Sequence, residues 1–275
     1  MIQQPCAKIN LGLNVVSKRP DGYHNLETVF YPVGIKDEIL IETVPDKISP
    51  RYDCSLNIKG INIDGDLQQN LIVKAYKLLK QRYTSIPKIN VTLTKNIPTQ
   101  AGMGGGSADC AFTIRMLNDG FNLGMSIKEM QETATELGAD CPFFINPTPS
   151  FATGIGEILT PIDLNLSQYK IAIVKPPIMI STKEAFANIT PKKPTMCCRD
   201  IVMQPIETWK EKLVNDFEQS ISNSHPEIIK IKNKLYDLGA IYASMTGSGS
   251  ALFGIFDKNI SNLDKEFKDC LTYIV

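Results

Sequence analysis

Glycines gathered between a predicted strand and a predicted helix constrain this chain more than any other feature. The alternating run INVTLT at residues 89–94 is typical of a strand, and four glycines follow it within residues 102–106. A helical pattern then opens at Ser107 and Ala108 and runs to about Leu117. Glycine permits positive φ angles and close backbone approach, and the amides that begin a helix attract negative charge. The sequence therefore predicts an anion-binding loop, for which a nucleotide phosphate is the natural ligand.

Two better-known glycine loops do not fit this segment. The Walker A loop requires Gly-Lys-Ser or Gly-Lys-Thr, whereas Ser107 follows three glycines and no lysine. The dinucleotide fingerprint G-x-G-x-x-G belongs to the first strand–helix turn, whereas Gly102-x-Gly104 leads to Ser107, far from the N-terminus. A flexible surface linker is the remaining alternative. A linker, however, has no reason to lie between a strand and a helix that starts with Ser-Ala-Asp.

The glycine loop also carries a resemblance to a known family. PTQAGMGGGSAD at residues 98–109 resembles the second signature motif of the GHMP kinases, which include galactokinase, homoserine kinase and mevalonate kinase. Two further segments stand in the order that this family uses, at residues 6–30 and 243–256. The first contains KINL and RPDGYH, and is similar to the opening of the branch that phosphorylates a cytidylylated methylerythritol in the non-mevalonate isoprenoid pathway. The resemblance spans nearly the whole chain except roughly residues 190–235.

This resemblance implies an α+β fold with two domains. Residues 1–155 would form a nucleotide-binding domain similar to domain 2 of ribosomal protein S5, and residues 156–275 a ferredoxin-like domain, with the active site in the cleft between them. Composition places the boundary near residues 145–165, where Pro, Thr and Gly collect. The resemblance further implies ATP as the phosphate donor, Mg²⁺ as its counter-ion and a small molecule as the acceptor.

Hydrophobic periodicity predicts alternating strands and helices. Ser126, followed by Glu129, has the pattern of a helix-capping box, and Gly138 ends that helix. The predicted strands cover residues 7–16, 29–33, 37–42, 89–94, 170–177 and 251–256. The predicted helices cover residues 70–83, 126–137, 209–220 and 226–238.

Asp140 is the candidate general base. Phosphoryl transfer needs positioning, charge neutralisation and an acceptor for the hydroxyl proton, and a well-placed carboxylate near its normal pKa can accept that proton. From the residues alone, Asp140 in Gly-Ala-Asp-Cys-Pro is better explained as the cap of the following helix. The resemblance of LGAD-x-P to the catalytic position of the family favours the base, and both roles can coexist.

Lys8 and Asn10 lie two residues apart on a predicted strand, and therefore on one face of it. A lysine among apolar residues commonly lies at a sheet edge or extends its ammonium to the surface. In the kinases that this chain resembles, the lysine lies beside the catalytic aspartate, where an ammonium holds the carboxylate ionised and lowers the pKa of the acceptor hydroxyl. Asn10 would orient the substrate.

Tyr23 and His24 close a Pro-Asp-Gly turn, which is a strong loop signal. Either side chain could simply stabilise the turn or join the core. In the enzymes that the chain resembles, this pair lines the pocket for cytidine, with the imidazole stacking on the base or hydrogen-bonding to it. We therefore predict Asn10, Tyr23 and His24 as substrate-binding residues.

The remaining predicted residues bind the nucleotide by resemblance. Ser107 is expected to contact Mg²⁺ or a phosphate oxygen, or else to act as an ordinary helix N-cap. Thr246, Gly247, Ser248 and Gly249 are expected to approach the phosphates, or to form a tight turn between helix and strand. The predicted nucleotide-binding set is Asn70, Leu71, Lys95, Pro98, Thr99, Gln100, Ala101, Gly102, Met103, Gly104, Gly105, Gly106, Ser107 and Ala108.

The sequence departs from the family pattern at two places in the loop. Gln100-Ala101 stands where the kinases often carry two glycines, and Ala108 stands where a second serine is common. Neither change removes a reactive group, so the departures concern the geometry of nucleotide binding.

Composition excludes some classes of partner. The 275 residues carry 29 basic and 29 acidic side chains, so no net charge favours nucleic acid or an anionic membrane. No apolar run reaches the ~18–20 residues of a membrane span, and the first residues lack the pattern of a secretory signal. Seven cysteines without zinc-like spacing are typical of reduced thiols in a cytoplasmic protein. A monomer and a homodimer are both compatible with the sequence.

Two other functions remain open. The chain could be another GHMP kinase, of the homoserine or mevalonate type, although RPDGYH argues against it. It could also be a non-catalytic binding protein on the same fold, although Lys8, Asp140 and all three glycine motifs are intact.

Overall fold

The computed structural model describes residues 1–45 and 51–275 of the chain. The strands are β1 Ile2–Gln3, β2 Cys6–Lys18, β3 His24–Lys36, β4 Glu38–Thr43, β5 Cys54–Gly60, β6 Ile89–Lys95, β7 Ser150–Thr153, β8 Ile158–Pro161, β9 Lys170–Lys175, β10 Tyr242–Met245, β11 Leu252–Phe256 and β12 Leu271–Ile274. The helices are α1 Leu71–Arg82, α2 Gly105–Gly120, α3 Ile127–Thr135, α4 Cys141–Ile145, α5 Thr182–Ala187, α6 Cys198–Val202, α7 Asp216–Ile221, α8 Pro226–Asp237 and α9 Leu263–Glu266. None of the helices in the described ranges is long and apolar enough to cross a membrane.

The described chain divides into two compact units, and each combines segments that are distant in sequence. The first unit contains residues 1–7, 34–99 and 104–147. The second unit contains residues 8–33, 100–103 and 148–275. The chain passes from the first unit to the second between Pro147 and Thr148. This point lies within the Pro- and Thr-rich segment in which composition places a boundary. The predicted domain limits at residues 155 and 156 stay a prediction.

The first unit is a four-stranded sheet with helices packed on it. Its strand order is β1-β4-β6-β5, in which β5 runs parallel to β6 and the other pairs are antiparallel. Helix α1 buries Ile72, Val73, Tyr76 and Leu79 on one face, as its 3.6-residue periodicity predicts. Helix α2 packs against α1, α3 and α4 and is buried over most of its surface, which explains its largely apolar sequence. The connection from β6 to α2 carries the glycine loop.

The second unit contains two further sheets. One has the order β2-β3-β7-β8, and the other has the order β10-β11-β9-β12 with all its pairs antiparallel. Helix α8 packs on β10 and β11, burying Ile228 and Leu235. These elements share one core that includes Val174, Phe217 and Leu252. The mixture of sheets and separate helices confirms the α+β prediction.

Most predicted elements are present with small shifts of their ends. The capping box of α3 is confirmed, because Glu129 N donates to Ser126 Oγ while Ser126 N donates to the Glu129 carboxylate. The predicted strand at residues 29–33 is longer and begins at His24.

The helix predicted over residues 209–220 is wrong in its first half. The structure has turns after Trp209, and the helix begins only at Asp216. Leu13 N donates to Val214 O at 2.8 Å, and Asn215 forms a parallel bridge with Leu13 of β2 before the helix begins. Asn215 then caps α7 and donates to the carbonyls of Met245 and Gly247. These long-range bonds override the local amphipathic pattern.

Candidate nucleotide-binding and catalytic site

The glycine loop of the first unit ends in an uncapped helix. Gly104 occupies the N-cap position of α2 with φ +70°, and no side chain caps the helix. The helix starts two residues earlier than the sequence predicts, at Gly105 rather than Ser107. The interpretation of Ser107 as an ordinary N-cap is therefore wrong. The first-turn amides belong to Gly105, Gly106 and Ser107, and they can accept an anion together with the positive end of the helix dipole.

Two adjacent glycines in this turn have different surroundings. A Cβ on Gly105 would lie 2.8 Å from Lys95 Nζ and 2.9 Å from Ile97 Cγ2, so packing inside the protein excludes a side chain there. A Cβ on Gly106 would meet only Leu71 Cδ1, at 3.9 Å. The space beside Gly106 is therefore open to a ligand, and Leu71, a predicted nucleotide-binding residue, lies at its edge. Asn70 has a structural role, because its side chain caps α1 by accepting from Ile72 N at 2.9 Å.

Lys95 lies beneath this loop with its ammonium buried. The side chain is 2% exposed, donates to an Asp37 oxygen, and donates to Asp109 Oδ2 at 2.9 Å. Burial raises the pKa of Asp109 to about 7, against the opposing effect of Lys95. Sequence reasoning missed both aspartates, although a carboxylate inside an apolar helix was a signal for Asp109. The predicted contact of Lys95 with adenine stays a prediction.

Asp140 occupies the N-cap position of α4 without making the bond that defines a cap. Its φ and ψ are helical, at −82° and −16°, and its side chain makes no capping hydrogen bond. The structure therefore gives no support to the purely structural interpretation of Asp140. Hydrogen bonds from Cys110 and, to a smaller extent, from Ser107 lower the pKa of the neighbouring Cys141 thiol. Burial of the thiol opposes this effect. Ser107 of the glycine loop and Asp140 thus flank the same buried thiol.

In the second unit, a cluster of polar side chains joins β2 to the turn at residues 246–249. Lys8 Nζ donates to Asn10 Oδ1 at 2.5 Å and to Gly102 O at 3.0 Å. Thr246 Oγ1 also donates to Gly102 O at 3.0 Å, and it accepts from Asn10 N at 3.0 Å. Asn10 Nδ2 is held by Thr28 Oγ1 at 2.9 Å. Lys8 and Asn10 therefore share a face of the strand, as predicted, and several hydrogen bonds fix their positions.

Backbone packing in this unit explains two more glycines. A Cβ on Gly102 would lie 1.9 Å from Thr246 O, and a Cβ on Gly247 would lie 3.0 Å from Gly102 O. Thr246 and Gly249 form a tight turn, with Gly249 N donating to Thr246 O at 3.0 Å. This turn connects two antiparallel strands, β10 and β11, so the expected connection between helix and strand is wrong. A contact of these residues with phosphates stays a prediction.

The departure from the family pattern at Gln100 has a visible geometric consequence. Gln100 adopts φ +49°, in the left-handed region that glycine occupies without strain. The carbonyl of Gln100 accepts from Ser250 N at 3.3 Å, and the carbonyl of Ala101 accepts from Ala251 N at 3.3 Å. Further along the loop, Met103 O accepts from Lys8 N at 3.0 Å. These residues therefore hold the loop by backbone bonds. Pro98 and Thr99 belong to the first unit, and their contact with nucleotide stays a prediction.

His24 stacks on an aromatic ring that the sequence did not indicate. The imidazole lies 4.7 Å from the Phe186 ring at an interplanar angle of 18°, and Phe186 in turn meets Phe217 edge-on at 4.8 Å. Phe186 lies in the short helix α5, where no motif pointed to it. Tyr23 is 60% exposed, at the end of the turn that Arg19 and Asp21 stabilise. A flat aromatic surface with exposed neighbours is suited to stacking with a base.

The predicted catalytic residues lie in different units. Lys8 belongs to the second unit and Asp140 to the first. Their pairing, which the resemblance implies, stays a prediction.

Comparisons with known proteins identify the family of the chain. Residues 70–146 match the N-terminal domain of the GHMP kinases, and residues 203–266 match their C-terminal domain. The chain is 46% identical over 272 residues to the 4-diphosphocytidyl-2-C-methyl-D-erythritol kinase of Bacteroides fragilis, covering 98% of both chains. A crystal structure of 4-(cytidine 5'-diphospho)-2C-methyl-D-erythritol kinase superposes with a TM-score of 0.80 at 26% identity, covering 100% of this chain and 98% of the other.

A homoserine kinase from Cytophaga hutchinsonii shares the fold at 15% identity, with a TM-score of 0.71 over 100% of this chain and 93% of the other. The chain belongs to the GHMP kinases and, within them, to the family of the 4-diphosphocytidyl-2-C-methyl-D-erythritol kinases. The predicted two-domain GHMP kinase fold is thereby confirmed.

Proposed function

We propose that this protein transfers the γ-phosphate of ATP to the 2-hydroxyl of 4-diphosphocytidyl-2-C-methyl-D-erythritol, a step of non-mevalonate isoprenoid biosynthesis. The observation that carries the proposal is the 46% identity to a kinase of that name over 98% of both chains. The uncapped start of α2 and the open space at Gly106 support it, because they fit a polyphosphate.

The amides of Gly105, Gly106 and Ser107 bind phosphate oxygens in this proposal, at the positive end of the α2 dipole. Mg²⁺ neutralises the phosphates when bound, and the Ser107 hydroxyl is the residue here that would contact it. The Asp140 carboxylate accepts the proton of the acceptor hydroxyl while the hydroxyl oxygen bonds to the γ-phosphorus and ADP leaves. The Lys8 ammonium stabilises the ionised carboxylate and the forming alkoxide, and Asn10 orients the acceptor.

His24 and Phe186 form the binding surface for the cytosine ring in this proposal. Their stacked arrangement supplies an aromatic face, and the imidazole nitrogens can hydrogen-bond to the edge of the base. Tyr23, the exposed neighbour of His24 in sequence, covers the opposite side of a bound ring in this proposal. A site built to bind a base rejects acceptors without one, because its polar groups are then left without partners.

A coupled assay for ADP release tests this function directly. The purified protein is offered ATP with the cytidylylated acceptor, with homoserine or with mevalonate, and turnover is expected with the first alone. Comparable turnover with homoserine or mevalonate would instead support another GHMP kinase. Binding of nucleotide without turnover on any acceptor would support a non-catalytic protein.

The cellular location and assembly are also proposals. All seven cysteines are free, which supports a cytoplasmic protein. A monomer and a homodimer both remain compatible with this chain.

A further inference from the structure

A buried ion-pair cluster lies at the base of the glycine loop in the first unit. It consists of Asp37, Lys95 and Asp109, and it is called here the Asp37–Lys95–Asp109 cluster. All three side chains are at most 4% exposed, and the ammonium donates to both carboxylates. The cluster joins the start of β4, the end of β6 and the first half of α2. It therefore connects the chain segments on both sides of the glycine loop.

Each member of the cluster holds backbone close to the loop. Asp37 Oδ1 accepts from Asn96 N at 2.6 Å and from Ile97 N at 2.8 Å, which fixes the chain as it leaves β6. Asp109 follows Gly105 by four residues in α2 and therefore lies on the same face of the helix. The ammonium thus binds the first turn of α2 to the end of β6.

The Lys95 ammonium of the cluster lies close to the first turn of α2 at Gly105. A Cβ on Gly105 would lie 2.8 Å from Lys95 Nζ, so the ammonium touches the turn from its protein side. The amides of this turn carry no side-chain cap on the other side. Any displacement of the ammonium or of Asp109 changes where these amides point.

We propose that the Asp37–Lys95–Asp109 cluster positions the first turn of α2 for nucleotide phosphate, and that Lys95 and Asp109 act on the nucleotide only through that turn. The inference rests on the proposed function to the extent that this loop must bind a nucleotide. Lys95 and Asp109 are positioning residues in this scheme. A direct contact of Lys95 with the base would require the ammonium to leave two buried carboxylates, which is strongly unfavourable.

Substitution of Asp109 distinguishes positioning of the α2 turn from a direct contact with the base. Asp109→Ala removes the attachment of α2 and leaves the Lys95–Asp37 ion pair, whereas Asp109→Asn keeps an oxygen acceptor for the ammonium. Calorimetric titration measures Kd for β,γ-imido analogues of ATP and of ITP, whose bases differ at position 6. We expect Asp109→Ala to raise both Kd values by the same factor, roughly ten- to a hundredfold, as displaced orienting groups do. Asp109→Asn should cause a smaller loss.

Two outcomes overturn the proposal. Unchanged affinity in a folded Asp109→Ala protein would show that the cluster serves stability alone. A loss confined to the adenine analogue, changing the ratio of the two Kd values, would show a direct contact with the base. Arg82→Met, which removes the Arg82–Glu136 ion pair of the same unit, is the matched control and should leave both Kd values unchanged.

A second variant keeps the test decisive if Asp109→Ala does not fold. Gly105→Ala retains every charge of the cluster but places a methyl group 2.8 Å from the ammonium and 2.9 Å from Ile97 Cγ2, so the turn or these side chains must shift. It should raise both Kd values together, and unchanged affinity would contradict the proposal. Direct binding also separates this inference from the proposed function. If the wild-type protein binds the analogues but phosphorylates no acceptor, the proposed function fails and the cluster is still tested.

Discussion

Two lysines of this protein are equally buried and differ in the partners that hold them. Lys8 and Lys95 are each 2% exposed. Lys95 donates to the carboxylates of Asp37 and Asp109, whereas Lys8 donates to the amide oxygen of Asn10 and the carbonyl of Gly102. Carboxylates bind an ammonium in a fixed ion pair, and amide and carbonyl oxygens orient it through hydrogen bonds. Burial alone therefore does not indicate the role of a lysine, and the chemistry of its partners does.

The largest effect is expected at the base that Lys8 is proposed to assist. Asp140→Asn keeps the shape of the side chain but removes its ability to accept a proton, so kcat should fall by roughly 10²–10⁴. The unfolding midpoint should change little, because asparagine is isosteric with aspartate. Steady-state kinetics and a denaturation curve measure both quantities. Near wild-type turnover would rule out the base, and Asp163→Asn at an exposed position is the control.

Replacing each lysine by methionine tests the comparison directly. Lys95→Met leaves two buried carboxylates without their cation, which should cost about 3–5 kcal/mol of unfolding free energy. Lys8→Met should lower kcat, because it removes the ammonium that is proposed to stabilise the ionised base. Urea denaturation and kinetics on both variants provide the measurement. Wild-type turnover in Lys8→Met, or unchanged stability in Lys95→Met, would show that the distinction between the two lysines is wrong.

The glycine next to the cluster offers the third test. Gly106→Val places a side chain in the open space beside Leu71, so the Kd for a non-hydrolysable ATP analogue should rise by about tenfold or more, equal to ~1.4 kcal/mol. Affinity for the acceptor should change much less. Calorimetry with each ligand decides the question. Unchanged nucleotide affinity in a folded variant would indicate that the loop is a linker and does not bind the nucleotide.

The proposed cytosine surface predicts an effect confined to the acceptor. His24→Ala removes one ring of the stack with Phe186, so KM for the cytidylylated acceptor should rise by an amount equal to about 1–3 kcal/mol, the range for base stacking. KM for ATP should stay the same. His225→Ala removes the only other histidine and is the matched control. A defect in KM for ATP in His24→Ala would contradict the assignment.

A further prediction concerns the dependence of stability on pH. Burial raises the pKa of Asp109 to about 7 in the folded protein, above its value of about 3.9 in the unfolded chain. The folded state therefore binds more protons between these values, and the contribution of Asp109 to stability falls as pH rises from about 4 to 7. Asp109→Asn should flatten this part of the stability profile. Urea denaturation across that pH range measures it, and identical profiles would refute the prediction.

Some elements could be predicted because their signals are local. The capping box at Ser126, strand β9 and helix α8 follow from residues within one or two turns of each other, and the structure has all three. The helix predicted over residues 209–220 is wrong because the hydrogen bond from Leu13 to Val214 comes from a distant strand. The stack of His24 on Phe186 also lacked a local signal, because the two residues are distant in sequence.

The sequence by itself determined the family, the strand–loop–helix that contains the glycine loop, and the identity of the candidate base. These depend on residue type and short spacing, which the printed sequence contains in full. Only the tertiary structure decided that Gly105 is required by the Lys95 ammonium while Gly106 borders open space. It also decided the partners of that ammonium, since Asp37 is 58 residues away in sequence. Charges so distant in sequence are brought together only when the sheet and α2 pack, because a buried ammonium needs charged or hydrogen-bonding partners beside it.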